Sequence, residues 1–539
     1  MKVEYIDQQL LKQMFIAGAQ SLEMNKKVVN ALNVFPVPDG DTGTNMSLTM
    51  QSAVKEIKNN KGDTLEEIAS LAANGSLMGA RGNSGVILSQ LLRGFAKGVK
   101  GKEKLTTKDL ANALKMASDT AYKAVMKPVE GTILTVARES AEQAIVIAKK
   151  EKDIIAFVEK VIIEAEETLK KTPDMLKVLK EAGVVDSGGK GLIYIYLGAL
   201  AVLTGNTPTT EDLEIIQRTV EHEELVEGNI EFGYCTEFII NVADADIEAL
   251  KNTIKNYGDS MLVVGNENVV KVHIHTNHPG EVLEHGLKLG CLKDIKIDNM
   301  RLQHRHQNFE ETEEIRPKSQ KKQYGFITVT MGKGLTDIFK DFDVDCVIEG
   351  GQTMNPSTED FVKAIDTVDA TTIFILPNNS NIIMAANQAK SISQKDIRVI
   401  PTKSVPQGIT SLMAFNLENT PQGNEEEMLE AIQNVKTAQV TYAVRDTSYN
   451  DIAIHEGDIL GIGEGEIRAV GREIFDVSVE LLNKVVTEED EMITIFYGEE
   501  TEEKVAHQLK ERLEGLFSHC DVELYYGGQP LYYYIFSIE

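Results

Sequence analysis

From Ile6 to about Gly205 the apolar residues recur at the 3.6-residue period of a helix, with Leu11, Met14, Phe15, Gly18 and Leu22 on one face. Similar runs follow at 65–77, 86–99, 107–126, 134–149, 154–170 and 192–203. A stretch this long without strand alternation can bury its apolar stripes only by packing helix on helix. It is therefore expected to form one all-α domain over 1–205, with its Gly-rich loops gathered at one end. Its methionines and aromatics are read as core.

Those loops carry the chemistry. In Asn33-Val34-Phe35-Pro36-Val37-Pro38-Asp39-Gly40-Asp41-Thr42-Gly43-Thr44-Asn45, two carboxylates one residue apart sit in a turn freed by glycine and stiffened upstream by proline. Asp39 and Asp41 can converge on one hard cation, and Mg²⁺ suits them because it fills its other positions with water and phosphate oxygens. An EF-hand is excluded: counted from Asp39, Thr44 falls where the sharp-turn glycine belongs and Met50 where the bidentate glutamate belongs. Farther on, Gly79-Ala80-Arg81-Gly82-Asn83-Ser84-Gly85 precedes an apolar helical run at 86–92, and free N–H groups at a helix start attract anions. Ser84 can donate to a phosphate, and Gly82 and Gly85 permit close backbone approach. Thr44 and Asn45 can bond phosphate or cap the next helix. Arg81 and Arg138 are candidates for neutralising a transferring phosphoryl group, with surface ion pairing as the competing role. The chain has no P-loop, and Gly461-Ile462-Gly463-Glu464-Gly465 breaks the dinucleotide spacing.

With 539 residues the chain exceeds one core, and three or four domains are expected. A formal charge of −28 repels nucleic acid and anionic lipid. Four scattered cysteines without a Cys-x-x-Cys argue for a reducing, cytoplasmic setting. The first residues do not read as a signal peptide, and no apolar run reads as long enough to span a bilayer.

After a polar linker at 206–228, the pattern over 229–306 is strand, helix, strand, strand, helix, strand, which predicts a small α+β ferredoxin-like middle domain. In its third strand, Val270, Val272 and Ile274 alternate with Lys271, His273 and His275, so both imidazoles share a face. With Cys235 on a neighbouring strand they make a candidate Zn²⁺ set with an open position. A second linker, charged and punctuated by Pro317, occupies 307–322. Over 323–539 apolar strands first alternate with helices, which implies a largely parallel sheet covered on both faces. The closing aromatic run at 525–534 reads as an edge strand tucked into the core, or alternatively as a partner surface.

The motifs Pro38-Asp39-Gly40-Asp41-Thr42-Gly43-Thr44-Asn45-Met46, Gly82-Asn83-Ser84-Gly85 and Asp186-Ser187-Gly188-Gly189 resemble the nucleotide-binding subunit of dihydroxyacetone kinase. That resemblance implies an all-helical barrel holding ATP through Mg²⁺. It brings Gly82, Asn83, Ser84, Gly85, Thr132 and Asp186 near the nucleotide. Where the family pattern has a third aspartate, this chain has Asn33, a neutral oxygen donor. The whole chain resembles the ATP-binding subunit of bacterial fatty acid kinase. This implies a multidomain chain ending in an α/β DegV-like docking domain, a Cys/His zinc site in the middle domain, and a homodimer. It further implies transfer from ATP to the carboxylate of a fatty acid presented by a separate fatty-acid-binding protein. Phosphorylation of a small hydroxy compound such as dihydroxyacetone is the enzymatic alternative, and a non-enzymatic nucleotide-binding regulator is the other.

Overall fold

The computed structural model describes residues 2–33, 40–60, 62–125, 127–205, 232, 234–241, 247–265, 269–299, 322–351, 354–449 and 452–539. They fall into two compact units, one made of Met1–Thr207 with Lys321–Glu539 and the other of Pro208–Gln320. The linkers read at 206–228 and 307–322 lie outside the described residues, apart from Lys322.

In the first 205 residues the described helices are α1 (Gln8–Asn30), α2 (Thr42–Asn59), α3 (Leu65–Met78), α4 (Gly82–Val99), α5 (Thr107–Ala124), α6 (Ile133–Ile147), α7 (Ile154–Met175), α8 (Lys177–Ala182) and α9 (Ser187–Thr204). Each of α1 to α7 packs on the next, α7 packs on α9, and α9 packs back on α1, which closes the ring. A single apolar core fills it, from Leu11 and Leu22 through Met46, Leu88 and Phe157 to Ile193, with an apolar cavity of about 120 Å³ inside. The α1–α9 seam is close because glycines form it: a Cβ on Gly198 would lie 2.3 Å from the Ala17 carbonyl oxygen. Starts are capped by side chains, with Thr64 and Glu67 forming a capping box on α3 and Thr106 and Asp109 another on α5.

One expectation is corrected here. By length and composition α9, 18 residues with mean hydropathy 1.2, qualifies as a membrane span. Its glycines and Lys190 conceal its length when only the largest apolar side chains are counted. In the fold, Leu192, Ile193, Ile195 and Leu203 are buried within the ring.

The middle unit contains β1 (Tyr234–Asn241), α10 (Ile247–Ile254), β2 (Gly258–Gly265), β3 (Val269–Thr276), α11 (Pro279–Leu287) and β4 (Cys291–Asn299). Its sheet has the order β2-β3-β1-β4 with every pairing antiparallel. Phe238, Ile240, Val270, Val272, Ile274 and Val282 form its core.

The C-terminal region starts with β5 (Lys322–Thr330), α12 (Lys333–Asp341), β6 (Cys346–Glu349), α13 (Thr358–Thr367), β7 (Ala370–Leu376), α14 (Ile383–Ile392), β8 (Asp396–Val399), α15 (Val405–Met413) and α16 (Pro421–Ala431). The four strands form a parallel sheet of order β6-β5-β7-β8 with apolar clusters on both faces. One of those clusters takes in Ala80 and Val86 of the helical ring, so the Gly-rich loop between α3 and α4 packs directly on this region.

A second sheet follows, built from β9 (Lys436–Tyr442), β12 (Ile459–Gly463), β13 (Glu466–Gly471), β14 (Met492–Tyr497), β15 (Asp521–Tyr526) and β16 (Tyr534–Ile538), with the hairpin β10 (Thr447–Tyr449) and β11 (Ile452–Ile454) beside it. The order β13-β12-β9-β16-β14-β15 corrects the reading of the closing run as one edge strand. Of the two strands that this run joins, β15 is an edge, with Tyr525 and Tyr526 exposed, whereas β16 inserts between β9 and β14 and is buried along its length. Helices α17 (Ile474–Val485) and α18 (Glu503–Leu516) contribute to the core of this sheet.

Candidate active site

Short connections make successive helices of a ring antiparallel, so alternate N-termini emerge at the same rim. The starts of α2, α4, α6 and α9 meet there. The Asn45 amide nitrogen lies 2.5 Å from the place a Cβ on Gly82 would occupy. Ser187 Oγ donates to Asn33 Oδ1 at 3.5 Å, and the Asp186 carboxylate accepts from the backbone N–H groups of Gly189, at 2.6 Å, and Ile133. Four helix starts carry partial positive charge to one place, which favours an anion such as a triphosphate.

Asp41 occupies the N-cap position of α2 yet makes no cap bond. Asn30 does that work: its Oδ1 accepts from the N–H groups of Gly43 (2.7 Å) and Thr44 (3.2 Å), and its Nδ2 donates to Thr44 Oγ1 at 3.0 Å. The Asp41 side chain is thereby left to face the cavity. Thr42 Oγ1 donates to Asn33 Oδ1 at 2.7 Å, which fixes that amide beside it. Asn30 escaped the sequence reading, and its three-residue spacing before Asn33 gave no hint of its role.

Asn33, Gly40, Asp41, Thr42, Asn45, Asn83 and Ser84 line one cavity of about 700 Å³, within the size range of small-ligand sites. Its opposite wall comes from the C-terminal region: Thr330 at the end of β5, Asn378 to Asn381 after β7, Lys403 and Ser404 before α15, and Thr437 and Gln439 of β9. Ligands of open parallel sheets favour such strand ends. The oxygens of Asp41 and Asn33 are hard donors suited to Mg²⁺, and the Asn83 Oδ1 is buried with no hydrogen-bond partner among the described residues. The residues present thus fit a metal–phosphate group. Asp39 lies outside the described residues.

Thr44, Gly82, Gly85, Thr132 and Asp186 stand behind the lining. Gly82 has φ +57°, and Gly85 lets α4 approach α2, since a Cβ there would lie 2.4 Å from Thr49 Oγ1. Thr132 caps α6, accepting from the Leu134 N–H at 3.4 Å and donating to the Val129 carbonyl at 2.8 Å. Burial pushes the Asp186 carboxyl up to about 6. Arg138 is held by Glu130 at 2.9 Å and Glu139 at 3.4 Å. Arg81 donates to the Asn355 carbonyl at 2.8 Å and lies 3.5 Å from the Asp360 carboxylate. Two other cations stand near the site, neither with a carboxylate partner among the described residues. Lys403 is the only lysine or arginine among the described residues of the cavity wall. Arg445, between β9 and β10, donates to the Asn33 carbonyl, and its partial burial lowers its pKa.

In the middle unit, the β1–β3 register sets Cys235 directly opposite His275, two residues along β3 from His273. His275 is buried. The side chains of Cys235 and His273 lie outside the described residues, and among those described no three His, Cys, Asp or Glu side chains cluster as a metal site. The zinc expectation is carried by register alone.

Family models match the chain in three consecutive pieces: the DAK2 domain at 36–201, the FakA-like middle domain of fatty acid kinase at 231–307, and the FakA-like C-terminal domain of fatty acid kinase at 325–539. The chain belongs to the FakA-like fatty acid kinase family and carries a DAK2 kinase domain. Protein YloV of Bacillus subtilis (strain 168) is 46% identical over 554 residues, covering 100% of both chains. An uncharacterized protein of Staphylococcus aureus (strain USA300) is 42% identical over 547 residues, again covering 100% of both. Among solved structures, the DegV family protein Cg2579 from Corynebacterium glutamicum aligns with a TM-score of 0.31 and 14% identity over 40% of this chain and 97% of that one. The dihydroxyacetone kinase of C. freundii aligns with a TM-score of 0.31 and 13% identity over 41% of this chain and 49% of that one.

Proposed function

We propose that this chain is the ATP-dependent subunit of a fatty acid kinase. It transfers the γ-phosphoryl group of ATP to the carboxylate of a fatty acid presented by a separate fatty-acid-binding protein, giving acyl phosphate and ADP. The observation that carries the reading is the cavity in which Asp41 and the starts of α2 and α4 face together. A carboxylate oxygen of the acceptor attacks the γ-phosphorus as the bond to the β–γ bridging oxygen breaks, and that oxygen leaves with ADP. The acceptor is already anionic at neutral pH, so no base is required. Catalysis then consists of positioning and charge neutralisation.

Asp39 and Asp41, with the Asn33 amide oxygen beside them, would hold Mg²⁺, which when bound spreads the charge of the phosphates. Asn45, Asn83 and Ser84 face the phosphates from the cavity wall, backed by Thr44, Gly82 and Gly85, and Thr132 and Asp186 fix the rim on which they stand. Lys403 and Arg445 supply the positive charge that Arg81 and Arg138, each tied to carboxylates, do not. Cys235, His273 and His275 hold a structural Zn²⁺ in the middle domain. The protein acts in the cytoplasm as a homodimer.

ATP consumption by the purified chain with Mg²⁺ and oleate, with and without a lipid-carrier protein, tests the reading. Turnover is expected only with the carrier, and Asp41→Ala is expected to abolish it while the far-ultraviolet circular dichroism stays that of the wild type. Turnover with dihydroxyacetone and no carrier would replace the acceptor, and full activity of the variant would remove the site.

A further inference from the structure

Asn355 belongs to the C-terminal region, 314 residues from Asp41 in sequence, and is 2% exposed. Its Nδ2 donates to Asp41 Oδ2 at 2.6 Å. A carboxylate oxygen accepts only a donor, so this contact orients the amide and turns its Oδ1 away from Asp41. That oxygen is buried and has no hydrogen-bond partner among the described residues. Buried polar atoms in native folds are rarely left so, and an orphan beside an anion site points to a donor that arrives with the ligand.

The backbone around Asn355 is anchored to the Gly-rich loop of the ring. Its carbonyl accepts from Arg81, the Thr358 N–H donates to the Ala80 carbonyl at 3.1 Å, and Ser357 forms a β-bridge with Arg81. Gly82 passes close by, its would-be Cβ 3.4 Å from the Asn355 amide nitrogen. One side chain from the far end of the chain therefore touches the metal-binding carboxylate and abuts the phosphate loop.

We infer that Asn355 is a positioning residue of the phosphoryl-transfer site, contributed by the C-terminal region: it fixes the orientation of the Asp41 carboxylate, and its Oδ1 accepts from a water carried by the bound Mg²⁺. This rests on the metal–nucleotide reading of the cavity and makes the C-terminal region part of the active site as well as a docking platform. Partners that orient a metal ligand change metal affinity by about 10- to 100-fold when removed.

The test is a Mg²⁺ titration of the full-length protein in the presence of a non-hydrolysable ATP analogue, followed by calorimetry. Asn355→Ala is expected to raise the Mg²⁺ concentration for half-saturation by about 10- to 100-fold. Asn355→Asp keeps the shape and the fold but loses the N–H donor, and it should shift the titration in the same direction. Gln388→Ala serves as the control. It removes another bond across the same junction, from Gln388 Nε2 to the Leu77 carbonyl at 3.2 Å, without touching Asp41. It should lower the melting temperature and leave the Mg²⁺ titration unchanged. The inference is overturned if both Asn355 variants titrate as the wild type does, or if Gln388→Ala shifts the titration equally. If the wild type itself binds the analogue without regard to Mg²⁺, the metal–nucleotide reading falls first and takes the role of Asn355 with it.

Discussion

Asn30 and Asp41 share the start of α2, and their roles separate by experiment. Asn30 accepts two of the orphan N–H groups of that helix, so Asn30→Ala should cost about 1–2 kcal/mol of stability, as losses of helix caps do. The drop in melting temperature should accompany weakened nucleotide binding, because the turn that aims Asp41 loosens, whereas Asp41→Ala should spare the melting temperature. Asp186 offers a pH signature. Its carboxyl is raised from an ordinary value of 3.8 to about 6 by burial, so the folded state prefers the protonated form. The stability this contributes is complete below about pH 4 and is lost as the pH rises through about 6. Wild type should therefore lose stability against Asp186→Asn between those values, by at most about 3 kcal/mol for a shift of this size, and by less because the side chain retains some surface exposure. Denaturant unfolding of both proteins at pH 4.5 and pH 7.5 measures it, and a difference that does not change with pH would contradict the buried setting of this carboxyl.

At the scale of elements, the seam between α1 and α9 depends on having no side chain where the two helices touch. Gly198→Val would drive its Cβ toward the Ala17 carbonyl and to 2.7 Å from Gly18 Cα. Overpacking of this kind costs about 1–3 kcal/mol, read as a lower denaturation midpoint. Most helices of the ring were legible from their apolar period. The exception is α2, because Thr42, Thr44, Ser47, Thr49 and Ser52 dilute its apolar face to Met46, Met50, Val54 and Ile57. The alternating strands and helices up to β8 were equally plain, since strands buried on both faces read as continuous apolar runs. The later antiparallel sheet was not read, and the place of β16 within it followed from pairing with β9 and β14, which are remote in sequence.

For the whole molecule, the proposed zinc site and the proposed magnesium site lie in different compact units and should respond separately. A zinc-selective chelator is expected to lower the melting transition of the middle unit, and the same loss should follow from Cys235→Ser. Mg²⁺-dependent binding of an ATP analogue should survive either treatment; metal analysis finding no zinc in the native protein would remove the site. The sequence by itself determined the helical ring, the paired aspartates, the glycine loop and the histidines one residue apart on a strand, because each is a local pattern whose spacing carries its own physics. Only the tertiary structure decided that Asn30 caps α2, that Lys403 and Arg445 rather than Arg81 and Arg138 stand without carboxylate partners among the described residues, and that Asn355 reaches Asp41. Those facts depend on which surfaces bury each other when the C-terminal sheet packs against the rim of the ring, and no spacing along the chain encodes a contact across hundreds of residues.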